Sequence, residues 1–281
     1  MAIALKYVSQ GGTVKMGGAL SNIRITALSG FELPPKQYET IEFATENGVT
    51  TTGSKDMART LTVSGDIYGG QRDISKILKA LYYEGTLYCE FGTIRRKIDC
   101  KVINLSDIER LGQSGINSFT VQFQADYPYF NDCTDTTTVI SSSKDLINGT
   151  FTLPCVWTEY IQSGIVNNTG DKLIFPVITL TAVSSAESTT GTVTITNETT
   201  GAVITLDYVI AENEVITIDL STRRIKSSIN GNITNTITDD TVLSEFYLDY
   251  GKNNIAFSSS AENQVLLAEI TFNRLYLMAV R

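Results

Sequence analysis

Between Ser118 and Asp126 the chain alternates strictly. Phe119, Val121, Phe123 and Ala125 are apolar, and Thr120, Gln122, Gln124 and Asp126 are polar. A period of two places one set on a buried face and the other in solvent, so the stretch predicts a β-strand. Pro128 removes a backbone donor, ends that strand and marks a border between two kinds of sequence. Upstream lies the one helical pattern. Ile74, Ile77, Leu78 and Leu81 recur at i, i+3, i+4 and i+7, which predicts a helix over about Asp73 to Glu84. Asp73 is its expected N-cap and Gly85 its expected left-handed stop.

Short strands are expected around this helix, at Asn22–Ile25, Arg59–Gly65, Leu87–Phe91, Arg96–Val102 and Ser118–Ala125. Pro34 and Pro35 stiffen an extended connection between Phe31 and Tyr38. Apolar Ile41 and Phe43 follow, and the polar run from Thr45 to Asp56 predicts a loop or arm. Asn104–Asn117 predicts a protruding hairpin with Gly112 and Gly115 near its tip.

Downstream of Asp132 the pattern changes to many short strands and hairpin turns with no helical period. Strands are expected at Leu173–Ala182, Thr192–Thr196, Ala202–Tyr208, Val215–Leu220, Arg224–Ser228, Ser244–Leu248, Asn254–Ser258 and Val265–Leu275. That predicts an antiparallel sandwich, with Leu266, Ala268, Ile270 and Phe272 facing its core. The chain thus divides into an α+β domain at 1–132, a Thr/Ser linker at 133–150 and a β-sandwich at 151–281. A length of 281 residues accommodates two such cores.

Charge sharpens this division. Residues 1–132 carry 14 Lys+Arg and 14 Asp+Glu, and residues 133–281 carry 8 and 16, so the net charge of −8 belongs to the second half. An acidic surface repels phosphate backbones and anionic lipid, which argues against nucleic acid or membrane as partners. The N-terminus lacks the basic and apolar regions of a signal peptide, and no apolar run reaches membrane-spanning length. A soluble protein made in a cytoplasm is expected, and the Asn-x-Ser/Thr sequons carry no weight there.

Chemistry narrows by elimination. There is no histidine, and Cys89, Cys100, Cys133 and Cys155 show no C-x-x-C spacing, which removes zinc sites and histidine-based acid–base catalysis. Cys100 alternates with Ile98 and Val102 as a small buried residue would; a Cys89–Cys100 bridge is the minority alternative. Gly17-Gly18 and Gly69-Gly70 lack the lysine and hydroxyl of a phosphate loop. Serines have neither a histidine partner nor a G-x-S-x-G elbow. Asp239-Asp240 lacks the spaced carboxylates of a calcium loop, and Arg95-Arg96-Lys97 splits across two strand faces. The lone Trp157 is read as a core or interdomain anchor, with a sugar-stacking platform as its alternative. No catalytic residue, metal or cofactor is expected, and an enzyme is not.

The order of certain segments is more specific than any one of them. Gly30–Pro35, Asp56–Leu61 with Gly65, the helix ending at Gly85 and Phe123–Phe130 occur in the first half. Asn167–Asp171, Phe175–Ile178, Ile216–Asp219, Gly231–Ile233 and Leu248–Ile255 occur in the second. In this order the chain resembles the distal tail protein family of phages and phage-tail-like bacteriocins. The resemblance implies an N-terminal belt domain that assembles as a ring, usually hexameric, and a galectin-like C-terminal sandwich. It implies a structural virion component that joins the tail tube to the baseplate or tail-tip hub. Further copies of the chain, the tube protein, the hub protein and the tape-measure protein are its implied partners. The particle is expected to assemble in the host bacterial cytoplasm, as a virion or tailocin with this protein at the tail's distal end. Galectin-like shape does not carry galectin activity, since a galectin sugar site needs a histidine, and so carbohydrate or receptor binding is the alternative role.

Within that picture the Phe31–Asp56 arm is the expected ring contact, through Phe31, Pro34, Tyr38, Phe43 and Arg59. Tyr127, Pro128, Phe130 and Trp157 are expected where the two domains meet.

Overall fold

The structure is a computed structural model and describes residues 3–19, 21–43, 47–68, 71–106, 108–111, 116–141, 162–183, 189–261 and 265–279. Trp157, Cys155, Gly69, Gly70, Gly112, Gly115 and Thr45 lie outside the described residues. The chain forms mostly antiparallel β-structure with one α-helix. It divides into two compact units, one of residues 1–133 and 275–281, the other of residues 134–274.

The first unit contains β1 (Ile3–Ser9), β2 (Gly12–Gly17), β3 (Ile23–Ser29), β4 (Lys36–Glu42), β5 (Val49–Asp56) and β6 (Arg59–Tyr68). After α1 (Gln71–Leu81) come β7 (Gly85–Phe91), β8 (Ile94–Leu105), β9 (Glu109–Leu111), β10 (Ile116–Ala125) and β11 (Phe130–Asp132). Its main sheet runs β2-β1-β7-β8-β10-β6-β3. The long strand β8 bends this sheet, because Ile94–Cys100 pairs with β7 whereas Lys101–Leu105 pairs with β10. The alternation expected of β10 is present, with Phe119, Val121, Phe123 and Ala125 buried. They join Tyr7, Leu61, Val63, Leu87 and Ile98 in one apolar core.

Helix α1 starts two residues before its expected origin and ends at Leu81, so Asp73 lies in its first turn instead of capping it. Leu81 is buried and Ile74 and Ile77 pack on the core, whereas Leu78 is exposed. The helix is tied to β1 by Ser9 Oγ, which donates to Ala80 O at 2.6 Å, and by the Tyr7 hydroxyl, which donates to Tyr83 O at 2.6 Å. Gly85 begins β7 with no left-handed backbone. Glycine is needed there for another reason: a Cβ would lie 2.2 Å from Val8 O.

Two segments expected to be irregular are strands. The run ending at Asp56 is strand β5, paired in register with β4 from Lys36↔Asp56 to Glu42↔Val49. The Thr/Ser linker contains strand β12 (Thr136–Ser141), which pairs with β21 (Leu266–Phe272). Neither strand has the alternating apolar face that announces burial, so polar composition concealed both.

The second unit continues from β12 through β13 (Gln162–Asn168), β14 (Val177–Ala182), β15 (Thr192–Asn197), β16 (Ala202–Asp207), β17 (Val215–Asp219), β18 (Arg224–Ser227), β19 (Gly231–Asn232), β20 (Gly251–Ser259) and β21. Two sheets result, β12-β21-β14-β17-β18-β19 and β13-β20-β15-β16. Their inward residues alternate as expected, with Ile178, Leu180, Ile195, Ile255, Leu266, Ala268, Ile270 and Phe272 buried. The open edge of β16 is partly covered by the isolated Leu206↔Ile237 bridge and by Thr238 N donating to Thr205 O.

The last described strand, β22 (Leu275–Tyr276), leaves the second unit and pairs with β11 of the first. The expected domain limit of 151–281 is therefore corrected at both ends. Register likewise excludes a Cys89–Cys100 bridge. Cys89 lies opposite Arg96 and Cys100 opposite Gly85 four residues along the same strand, a separation of about 13 Å. Both thiols are free.

Candidate functional site

Among the described residues the β4–β5 ribbon pairs with no other strand. Every residue of β4 is exposed, as is β5 apart from half-buried Gly53 and Asp56. Tyr38, Ile41, Phe43 and Val49 each expose about half of their surface or more. A two-stranded ribbon alone is marginally stable in water, so this one depends on its root and on whatever covers its apolar side chains.

The root is well made. Met57 N donates to Pro35 O at 2.8 Å, and the Tyr129 hydroxyl donates to Asp56 Oδ2 at 2.5 Å. Arg59, 1% exposed, donates from Nη1 to Glu32 O at 3.2 Å and from Nη2 to Leu277 O at 2.7 Å. Its guanidinium lies 4.8 Å from the Phe130 ring centre. Burial lowers its pKa to about 10, with nearby Asp56 opposing, so it stays charged at neutral pH. Gly30 permits this approach, since its φ is +83° and a Cβ would meet Thr60 O at 2.0 Å. A second buried arginine, Arg96, donates to Met278 O and lies 3.7 Å from the Tyr276 ring centre. Ala279 N donates to Phe31 O at 2.9 Å.

The expected contact residues thus fall into two sets. Tyr38 and Phe43 are exposed on the ribbon, whereas Phe31, Pro34 and Arg59 are buried at its root and serve as its foundation. Of the residues expected between domains, Phe130 is fully buried in the first unit's own core, 6.3 Å from Phe31 in a stacked arrangement, and Pro128 is also buried. Tyr127 is exposed, edge-on to Tyr129 at 5.0 Å.

The two end strands of the main sheet, β2 and β3, each pair on one side only among the described residues. Between them lies a groove of about 430 Å³ lined by Ile3, Ile23, Ile25, Leu28, Tyr68 and Arg24. It shares Gly17, Gly18 and Ser21 with a neighbouring depression of about 610 Å³ that Lys6, Lys15, Tyr88 and Arg95 border. Lys6 lies over the Tyr88 ring and Arg95 pairs with Glu90 at 2.9 Å. No motif in the sequence announces this groove, which forms only when the sheet bends its ends together.

Among the described residues no three Cys, Asp or Glu side chains are placed to hold a metal ion. The buried polar groups of the second unit serve its loops. Asn168 donates to Lys172 O and accepts from Gly170 N, Asn197 donates to Tyr247 O, and Asn253 accepts from Asp249 N at 2.8 Å and donates back to Asp249 O at 2.9 Å. All three are fully buried. Two of them, Asn168 and Asn253, lie in the segments that carry the family resemblance.

Comparison with known proteins agrees with this architecture. Residues 169–276 match the family model of the siphovirus-type tail component, C-terminal domain. No curated protein matches the sequence. The fold is similar to that of the SPP1 Dit protein, described as a paradigm of the hub adsorption apparatus in phages that infect Gram-positive hosts. That likeness has a TM-score of 0.67 at 14% identity and covers 97% of this chain and 99% of that one. It is also similar to a chain of the phage P2 baseplate in its activated conformation, with a TM-score of 0.51 at 11% identity and 98% of each chain covered. The second unit thus matches a siphovirus-type tail component over residues 169–276, and the chain as a whole is similar in fold to the SPP1 Dit protein from end to end.

Proposed function

We propose that the chain is a structural component of a phage tail's distal end, where its first unit closes into a homo-oligomeric ring that connects the tail to the baseplate or tail-tip hub. The observation that carries this reading is the similarity in fold to a hub protein over 97% of the chain, joined to the family match at 169–276. The ring is hexameric, with the tube protein and the tape-measure protein as neighbours on one side and the hub on the other. It assembles in the host cytoplasm and remains at the end of the finished tail. The role is structural, consistent with a chain that has no histidine for acid–base work.

The second unit acts as a docking or spacing domain. One feature favours a carbohydrate or receptor-binding role instead. Tyr250 is 73% exposed, three residues along the chain from Tyr247, whose ring is edge-on to Phe175 at 6.4 Å, and exposed aromatic rings stack on sugars. Reproducible binding of the whole chain to a glycan array, removed by Tyr250→Ala without loss of folding, would favour that alternative.

Light scattering on the purified protein, followed by negative-stain imaging, tests the main reading. The expected result is a ring of mass near six times the chain's 30.7 kDa, formed alone or on addition of tube or hub protein. A chain that stays monomeric with both partners present overturns it.

A further inference from the structure

We infer that the ring forms by insertion of the outer β4–β5 ribbon of one copy into the β2/β3 groove of the next, guided by ribbon carboxylates and groove cations. This rests on the ring reading and names its interface.

The two surfaces match in chemistry. Outward of the Lys36 and Lys55 positions at its root, the two strands of the ribbon carry Glu39 and Glu42 and no Lys or Arg. Glu39 and Glu42 are exposed beside Tyr38, Ile41, Phe43 and Val49. The groove offers the complement, with an apolar lining of isoleucines and Leu28, exposed Arg24 among its own residues, and exposed Lys15 in the depression that shares its Gly17, Gly18 and Ser21 rim. Two carboxylates temper that rim: Glu90 holds Arg95, and Asp66 lies opposite Arg24 in the β3–β6 register. Lys6 and Lys15 keep it net positive.

The two surfaces also match in backbone. Among the described residues the outer edges of the ribbon have no strand partner, and β2 and β3 each have one edge without a strand neighbour. An incoming strand can therefore add to the sheet while its apolar side chains fill the groove. Ribbon and groove are different patches of the same unit. Such a contact is head-to-tail and propagates from copy to copy, which is the geometry a cyclic ring requires. Opposite charge sets the register and rejects the reversed approach.

Charge reversal and rescue in the full-length chain test the inference. Glu39→Lys with Glu42→Lys is expected to raise the protein concentration for half-assembly by about tenfold or more. Lys15→Glu with Arg24→Glu is expected to do the same, and the four changes together restore assembly. All four side chains are exposed, so thermal melting should stay near that of the parent chain, and Glu39→Gln with Glu42→Gln offers a milder variant expected to weaken assembly without reversing charge. Rings that survive either reversal, or that the combined variant fails to recover, overturn this interface while leaving the ring itself standing. An unmodified chain that forms no ring even with tube and hub protein present overturns the ring reading as well.

Discussion

At the scale of single residues, burial decides chemistry more than residue type does. Cys89 and Cys100 look like ordinary thiols in the sequence, but burial pushes both upward, Cys100 to about 12, and burial also raises the Tyr7 hydroxyl. Unfolded thiols ionise near 8.5, so stability from the neutral buried forms is complete below that pH and is lost as pH rises through the folded values. We expect the first unit to lose up to about 1.4 kcal/mol per thiol per pH unit above pH 8.5. Urea unfolding between pH 8 and 10 checks this, and Cys89→Ala with Cys100→Ala should flatten the slope even if it lowers stability overall. The buried asparagines make a separate case. Asn253→Ala leaves the backbone groups of Asp249 and Gly251 without their partners, and a loss of about 1–3 kcal/mol in the second unit is expected. A melting curve unchanged by that substitution would show that the loop holds itself. Asn253 is visible in the sequence as part of the Leu248–Ile255 segment, but its four side-chain hydrogen bonds are not, since they close a loop that exists only in the fold.

At the scale of elements, the sequence revealed strands that have a buried side and concealed those that do not. β10 and β21 alternate without interruption and were legible, and β5 and β12 were not. In β5, Val49-Thr50-Thr51-Thr52-Gly53-Ser54 offers no apolar face, and its pairing with β4 shifts register between Glu39 and Thr40. Such a ribbon is stabilised from its ends and by its neighbours. Its removal is therefore expected to cost assembly and little folding. Joining Gln37 to Lys55 through an Asn-Gly turn keeps the register pair at the root, the Tyr129–Asp56 hydrogen bond and the Arg59 contacts. We expect this shortened chain to melt within a few degrees of the parent and to remain monomeric by light scattering. Rings of normal mass from it would remove the ribbon from the interface.

At the scale of the whole molecule, the order of the chain and the order of the units differ. The polypeptide leaves the first unit after Cys133 and comes back to it at Leu275. Nothing in the sequence announced this return, because its recognition is by main chain: Arg59 takes Leu277 O, Arg96 takes Met278 O, and β22 pairs with β11. Side-chain patterning cannot encode a contact made to carbonyls. The C-terminal segment therefore belongs energetically to the N-terminal half, and a stop after Arg274 should reveal it. Two buried guanidinium groups would each lose a carbonyl acceptor, and a hydrogen bond to a charged group contributes about 1.5–3 kcal/mol. The loss should fall on the first unit alone, because β12 to β21 remain intact within residues 134–274. Amide hydrogen exchange on the truncated chain distinguishes the cases. Protection should drop in β6, β8 and β11 and persist in β14, β17 and β20; protection lost equally in both units, or in neither, would mean that the C-terminal return does not hold the first unit together.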